Sequence, residues 1–449
     1  MTANKKTLGE LTTRKIYLRI VPYFLILYVI AFIDRMNIGY VALDMNTELA
    51  LTSTSIGLIA GIFFIGYFFF EVPSNILMNR YGARKWISRI LITWGFICIV
   101  TGFVQDVTQL YFLRFLLGVA EAGFYPAVIL YFTLWLPKKE LARAVALFMI
   151  GMPLANIIGA PLSTWIMDNI SWFELSGWRW VFVMEGFPAV LFGILNLFLL
   201  TDLPEQAKWL SREEKDWLKA ELDNERVEVK DQKEFSSHRK VFVNILKDSK
   251  IWILIAIYLP ITVANYGVAT WLPTIIKSFS SSLTNYQIGL ITLIPYILGG
   301  IAMVLWAFKS DRTGERKFHT AVTPLVAAIG LLGAALTSNY LLSMVMICIA
   351  VIGLYSFFGP YWPLTTEFLS LKTAAIGIAF INSIANLGGF IGPYFIGFIN
   401  DATQTTKSGL FFIVILLVVS FISAISIKKD KDILPVDRTE TNPSEAAGN

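Results

Sequence analysis

The chain has 449 residues, 56% of them apolar and only 15% charged, with a mean hydropathy of +0.63 and a formal net charge of +5. A soluble domain carries about 25% charged and about 45–50% apolar residues. A string of soluble domains, a disordered chain, a secreted disulfide scaffold and a nucleic-acid-binding domain are therefore excluded. Cys98 and Cys348 both lie inside apolar runs and read as small packing residues, with no disulfide or metal site.

A helix crosses a bilayer with about 20 apolar residues, and stretches of that kind recur from Ile20 to Ile427. Twelve spans are predicted, with cores at 20–43, 55–78, 86–104, 108–134, 142–166, 178–200, 250–272, 285–308, 319–337, 341–366, 373–398 and 408–427. They are too long and too uniformly apolar to be barrel strands, which are about ten residues long and alternate with period two. The first holds Asp34 and Arg35 and has no small-residue cleavage site behind it, so it reads as a span and not as a removable signal. The predicted fold is an all-α membrane protein of twelve transmembrane helices. Its parts are an N-terminal tail (1–19), a six-helix bundle (20–200), a linker (201–249), a second six-helix bundle (250–427) and a C-terminal tail (428–449).

Basic residues orient the spans, because loops facing the cytoplasm are enriched in Lys and Arg. With both termini cytoplasmic, 32 of the 37 Lys and Arg fall on the cytoplasmic side and only Arg179, Lys277 and Lys407 on the other. Arg35 and Arg114 remain, and both lie inside spans. The net charge thus reflects topology and calls for no acidic partner. In the linker, residues 201–250 hold eleven basic and twelve acidic residues. Ser211 and Glu214 fit a capping box. Trp209, Trp217, Leu218 and Leu222 can form one face of a helix along the membrane surface, although the composition favours a solvated linker with a helical piece.

The two halves repeat. Asn79-Arg80-Tyr81-Gly82-Ala83-Arg84-Lys85 follows the second span, and Asp311-Arg312-Thr313-Gly314-Glu315-Arg316-Lys317 follows the eighth, 232 positions later. Ala155-Asn156 in the fifth span is echoed by Ala385-Asn386 in the eleventh, each followed by a proline, Pro161 and Pro393. Six-span repeats with a site between them at the midplane characterise a large group of secondary transporters.

On these residues the sequence resembles the major facilitator superfamily, whose loop pattern D-R-x-G-x-R-K stands after spans two and eight. Asn79 departs from that pattern, in which an aspartate is usual. Within the superfamily it resembles the anion:cation symporters. The residues that carry this are Asp34 to Gly39, Gly66-Tyr67 with Glu71-Val72-Pro73-Ser74-Asn75, Arg114 to Gly118 with Glu121 to Pro126, Gly177 to Trp180, Phe358 to Pro363, and Asn382 to Pro393. The likeness covers residues 15–430. It implies proton-coupled import of a small organic carboxylate by alternating access, in a bacterial inner membrane, by a monomer with no cofactor. The E-V-P-S-N and G-P-Y-W forms look most like members that carry tartrate, phthalate or hydroxyphenylacetate, with sugar acids such as galactonate or hexuronates as the alternative.

Charges at membrane depth usually face a cavity or one another. At about 1.5 Å per residue, Asp34 and Arg35 lie ~12–14 Å from the outer face, Arg114 ~9 Å and Glu121 ~20 Å, with Arg114 and Glu121 on one helix face. Protonating Glu121 or Asp34 would leave an arginine unpaired in a dry site, a costly state that an arriving carboxylate relieves. A static ion-pair network pinning spans one and four is the other reading of the same residues. The family likeness implies that Glu121 and Asp34 carry protons and Arg35 binds substrate; Arg114 is expected to modulate Glu121. Tyr67, Asn156, Tyr266, Trp271, Tyr361, Trp362, Asn382 and Asn386 are the candidate uncharged lining, although each type is also common in helix packing. Glu71, Arg80, Arg84, Asp311 and Arg312 are assigned to the cytoplasmic gate, where Asp311 and Arg312 would hold the halves together in the outward-facing state. No phosphate-cradling loop or metal cluster points to an enzyme or an ATP-driven pump, and nothing suggests a selectivity filter. A non-transporting receptor is the remaining, weaker alternative.

Overall fold

The computed structural model describes residues 2–230, 245–280, 282–369, 374–405 and 407–427. The tail 428–449, Lys372 and the linker stretch 231–244 with His238 lie outside the described residues. Among the described residues there are helices and no strands. Eleven segments are long and apolar enough to cross a membrane. They are the first span, Leu8–Glu48, the second, Ser53–Tyr81, and then the fourth to sixth, Val107–Trp135, Arg143–Asn169 and Gly177–Leu199. Ser249–Phe279, Asn285–Thr313, Arg316–Leu336, Tyr340–Phe368, Ile376–Thr403 and Ser408–Ser426 follow as the seventh to twelfth. The third predicted span is the helix Ala83–Thr101. Arg84, Lys85 and Arg89 in its first two turns leave it outside that set. Its remainder is as buried as its neighbours, with Leu91, Trp94 and Cys98 fully enclosed and Gly95 against the backbone of Gly186 in the sixth span.

Several spans are interrupted, and two pairs of interruptions follow the repeat, while the break of the first span at Asn37 has no counterpart in the continuous seventh. The fourth span breaks between Val107–Glu121 and Phe124–Trp135, and the tenth between Tyr340–Ser356 and Phe358–Phe368. The fifth breaks at Ile150 and the eleventh at Leu387. Pro126, Pro153 and Pro360 each stand just past a break, and a proline has no N–H for the carbonyl four residues back. At Gly123 the backbone is left-handed (φ 87°), and a Cβ there would sit 2.5 Å from the Ser74 hydroxyl. Only glycine fits both the dihedral and the space.

The linker helix Arg212–Lys230 begins with the expected box. The Glu214 N–H donates to Ser211 Oγ at 3.2 Å, and the Ser211 N–H donates to Glu214 at 2.8 Å. Its apolar face covers the N-terminal extension of the first span. Leu218 and Leu222 are buried, Trp217 lies against Gly9, and Lys15 pairs with Glu214 at 2.6 Å. The face foreseen for the membrane surface or for solvent is thus docked on protein. Burial pushes the Glu214 carboxyl up, but Lys15 and the Ser211 N–H outweigh it and hold it below the usual glutamate value. The tether therefore persists at neutral pH and is lost only as pH falls through that lowered value. Glu214→Ala should speed trypsin cleavage of this helix about fivefold, the ~1 kcal/mol that a lost cap is worth; unchanged cleavage would mean that the docking does not depend on it.

The two halves meet at the end of the bundle away from the basic loops. There Gly57 of the second span lies against the Pro393 carbonyl of the eleventh, and Gly289 of the eighth against the Ala160 carbonyl of the fifth. Each contact is closed by a carboxylate on a helix N-terminus. Asp401 accepts from the Ser53 N–H (3.0 Å) and from the Thr54 N–H (2.7 Å) and hydroxyl (2.6 Å). Asp168 accepts from the Tyr286 N–H at 2.8 Å. Gly57 and Gly289 are 232 positions apart, and Asp168 and Asp401 233, so the closure is built twice by the repeat. The same end holds the three basic residues outside the rule. Arg179 pairs with Glu48 at 2.8 Å, while Lys277 and Lys407 each donate to a backbone carbonyl at 2.6 Å.

Candidate functional site

Between the halves, at mid-depth, lies a cavity of about 820 Å3, counting the part that opens to solvent. Arg35, Tyr67, Asn156, Tyr266, Trp362, Asn382 and Asn386, all singled out in the sequence, line it. Arg35 is the one charged side chain among the described lining residues.

The Arg35 guanidinium pairs with Glu121 of the fourth span, and both are largely shielded from solvent. A second donor contact reaches the Tyr266 hydroxyl at 3.5 Å, across the halves. The guanidinium also lies over Phe32, Phe63 and Tyr67 at 4.9, 5.1 and 5.4 Å from the ring centroids. The aromatic faces stabilise the cation and hold its plane. Arg35 Nε and Glu121 Oε2 have no hydrogen-bond partner among the described residues. A salt bridge as buried as this is sensitive to the loss of either charge, because the survivor is left desolvated and alone.

Arg114 also lies over the Phe63 ring, 5.8 Å from its centroid. It is fully buried, its Nε donates to the Ile59 carbonyl at 3.4 Å, and both terminal nitrogens lack a partner among the described residues. Asp34 faces away from the cavity, into the first bundle. It accepts from the Trp94 indole, from Cys98 and from the Asn37 amide. The four charges are therefore one direct pair, Arg35–Glu121, beside Asp34 and Arg114, which make no ion pair within 4 Å among the described residues.

Asn156 donates to the Tyr355 hydroxyl of the tenth span at 3.1 Å, a further polar contact between halves. Tyr361 does not reach the cavity. Its ring clusters with those of Tyr258 and Phe357, at 4.9 and 4.8 Å, and its hydroxyl donates to the Leu254 carbonyl at 3.0 Å. One residue is about 100° around a helix, so Trp362 takes the cavity face and Tyr361 the bundle core. Trp271 likewise turns to the eleventh span, donating to the Pro393 carbonyl at 3.1 Å. Residues that sequence reasoning passed over also line the cavity, among them Tyr28, Tyr125, Tyr258, Thr262 and Asn265. Tyr125 stands inside a motif already quoted, one helical turn past Glu121, which was a usable signal.

At the basic end, Glu71 accepts from Ser383 of the eleventh span at 3.4 Å. Arg80 lies over Tyr81. Arg84 meets Asp202 through its backbone N–H at 2.8 Å and, more loosely, through its side chain at 3.9 Å. Asp311 lies 3.9 Å from Arg316, which reaches Glu367 at 3.4 Å. Among the described residues, all partners of Arg84 and Asp311 belong to their own half.

A sequence profile of the Major Facilitator Superfamily matches residues 24–393. The chain belongs to the major facilitator superfamily. It is a multi-pass membrane transporter and not an enzyme. Among superfamily relatives, a "Putative tartrate transporter" of Agrobacterium vitis is 46% identical over 409 residues, covering 91% of this chain and 93% of that protein. A "Quinolone resistance transporter" of Acinetobacter baumannii is 38% identical over 412 residues, 91% of this chain and 93% of that one. Among solved structures, a bacterial homologue of the human lysosomal transporter Spinster, inward-facing and unoccupied, superposes with a TM-score of 0.75 at 17% identity, covering 91% of this chain and 97% of that one. That superposition speaks for the superfamily fold alone.

Proposed function

We propose that the protein is a proton-coupled symporter that imports a small hydroxylated organic carboxylate by alternating access. The reading includes the helix Ala83–Thr101 as a twelfth span, bundles at 20–200 and 250–427, and both termini in the cytoplasm. The state described here then faces inward, closed on the outside by the glycine contacts and by Asp168 and Asp401.

The observation that carries the proposal is the Arg35–Glu121 pair at the wall of the cavity. An ionised Glu121 occupies the guanidinium. A proton on Glu121 removes its charge and leaves Arg35 with an unsatisfied fork, which a substrate carboxylate fills in two parallel hydrogen bonds. Proton and anion therefore favour each other's binding. One cation suits one anchoring carboxylate, and the amides of Asn156, Asn265, Asn382 and Asn386 suit hydroxyls or a second, hydrogen-bonded acid group. Tartrate, the substrate in the name of the Agrobacterium relatives, has those features; an aldonate shares most of them.

The test uses purified protein in liposomes with L-tartrate and an imposed pH gradient. Wild type should accumulate tartrate above its equilibrium level. Glu121→Gln should lose that accumulation and keep tartrate exchange, which moves no net proton. Accumulation undiminished in Glu121→Gln would end the proton role of this residue.

A further inference from the structure

Glu185, in the middle of the sixth span, was not among the candidate residues, and the symport scheme above makes no use of it. It is 5% exposed. Ser163 of the fifth span donates to Oε1 at 2.5 Å when the carboxyl is ionised and accepts from it when it is protonated, and the Asn37 amide donates to Oε2 at 3.1 Å. The same amide nitrogen donates to Asp34 Oδ1 at 3.2 Å, so one amide bridges two carboxyl groups. The other titratable groups facing Glu185 are Tyr40 of the first span and Cys98 of the third helix. No cation pairs with Glu185 among the described residues.

The charges within this bundle then do not balance with every acid ionised. At this depth three acids, Asp34, Glu121 and Glu185, stand against two guanidiniums, Arg35 and Arg114; Glu71, also buried, lies nearer the basic end, and Arg179 is paired with Glu48. Arg35 is taken by Glu121, and Arg114 has Asp34 as its strongest electrostatic partner. An isolated buried carboxylate costs several kcal/mol, and such groups take up a proton instead.

We infer that Glu185 holds a proton in this inward-facing state and forms with Asp34, through Asn37, a second proton-binding pair that adds one proton to the transport cycle. This rests on the reading of the protein as proton-coupled. Transfer of the proton breaks the O–H bond on Glu185 and forms one on Asp34. The negative charge moves from beside Arg114 to the sixth span, and Arg114 loses its counter-charge. Glu185 lies ~12 Å from the outer end of its helix and Asp34 at nearly the same depth, whereas Glu121 is deeper and paired with Arg35 of the cavity wall. The pair is thus placed to take its proton by a route separate from the substrate.

The experiment compares wild type and Glu185→Gln, full length and in liposomes, by two measurements. Infrared difference spectroscopy should show that Glu185→Gln lacks one protonated-carboxyl C=O band present in wild type at neutral pH. Ser163→Ala should shift the band and keep it, which leaves the assignment decidable if Glu185→Gln folds poorly. The reversal potential for L-tartrate should give one proton fewer per tartrate in Glu185→Gln, with exchange retained. A band that persists in Glu185→Gln overturns the protonated state. An unchanged proton count overturns its part in the cycle. If wild type shows no pH-driven tartrate uptake, the symport reading fails and the transport part with it, while the infrared band still decides separately whether Glu185 is protonated.

Discussion

Replacing Arg35 by alanine is expected to abolish transport and to weaken L-tartrate binding at least 100-fold, equivalent to about 3 kcal/mol. Two losses add up in that variant. The cavity forfeits its one cation among the described lining residues, and Glu121 is left as a buried carboxyl without its partner. Arg35→Lys separates them. Lysine restores a charge opposite Glu121 but has no planar fork and stacks poorly on Phe32, Phe63 and Tyr67. It should keep the protein folded and recover less than about a tenth of wild-type affinity, since a bidentate contact becomes a single one. Calorimetric titration with L-tartrate, beside size-exclusion profiles in detergent, reads both effects. Wild-type affinity in Arg35→Lys would show that charge alone suffices. Wild-type affinity in Arg35→Ala would remove Arg35 from the site.

The second large effect is expected at the closed end. Gly57→Leu and Gly289→Leu each place side-chain atoms where another backbone already sits. A Cβ at Gly57 would lie 2.3 Å from the Pro393 carbonyl oxygen, and one at Gly289 2.7 Å from the Ala160 carbonyl oxygen. Backbone cannot step aside as a side chain can, so overpacking here costs about 1–3 kcal/mol. The cost falls only on the state in which this end is shut. The population then moves toward the outward-open state, by about 150-fold for 3 kcal/mol. Transport should fall to background while tartrate binding survives. Cysteines introduced at the cavity wall should become reactive to an impermeant reagent from outside. Since the two glycines are repeat mates, either variant should trap the same state. Normal uptake by both would mean that this contact does not have to close.

The carboxylate latches belong to the same device. Asp168 and Asp401 accept from the first N–H groups of the eighth and second spans, where helix dipoles favour negative charge. Such contacts are worth about 0.3–1 kcal/mol when exposed. They tune the closed end and do not lock it, which a transporter that must reopen requires.

How much of this could be read in advance varied with the kind of statement. Arg35 and Glu121 could be placed at membrane depth by counting residues, because rise per residue is nearly constant along a helix. Their pairing with each other, and the lack of an ion pair within 4 Å between Asp34 and either arginine, depended on how the first, third and fourth helices rotate about their axes. Tyr361 and Trp362 show the same limit one residue apart: adjacent in sequence, one seals the bundle and the other faces the cavity. Glu185 was legible by the rule that singled out Asp34, a lone charge in a long apolar run, but it belongs to no quoted motif. Asp168 and Asp401 lie just past the predicted cores 142–166 and 373–398, and only the packing of the two halves put them on helix N-termini.

The sequence by itself determined that the chain is a helical membrane protein, where its spans lie, that it repeats once, and which few charges sit at depth. Those follow from apolar length, from the distribution of Lys and Arg and from a 232-residue offset, all of them local or additive along the chain. The tertiary structure decided which of the deep charges meet, which end of the bundle is shut and which carboxyl has no cation. These turn on helix rotation and on contacts between residues up to about 350 positions apart, such as Ser53 and Asp401, and no local pattern encodes them.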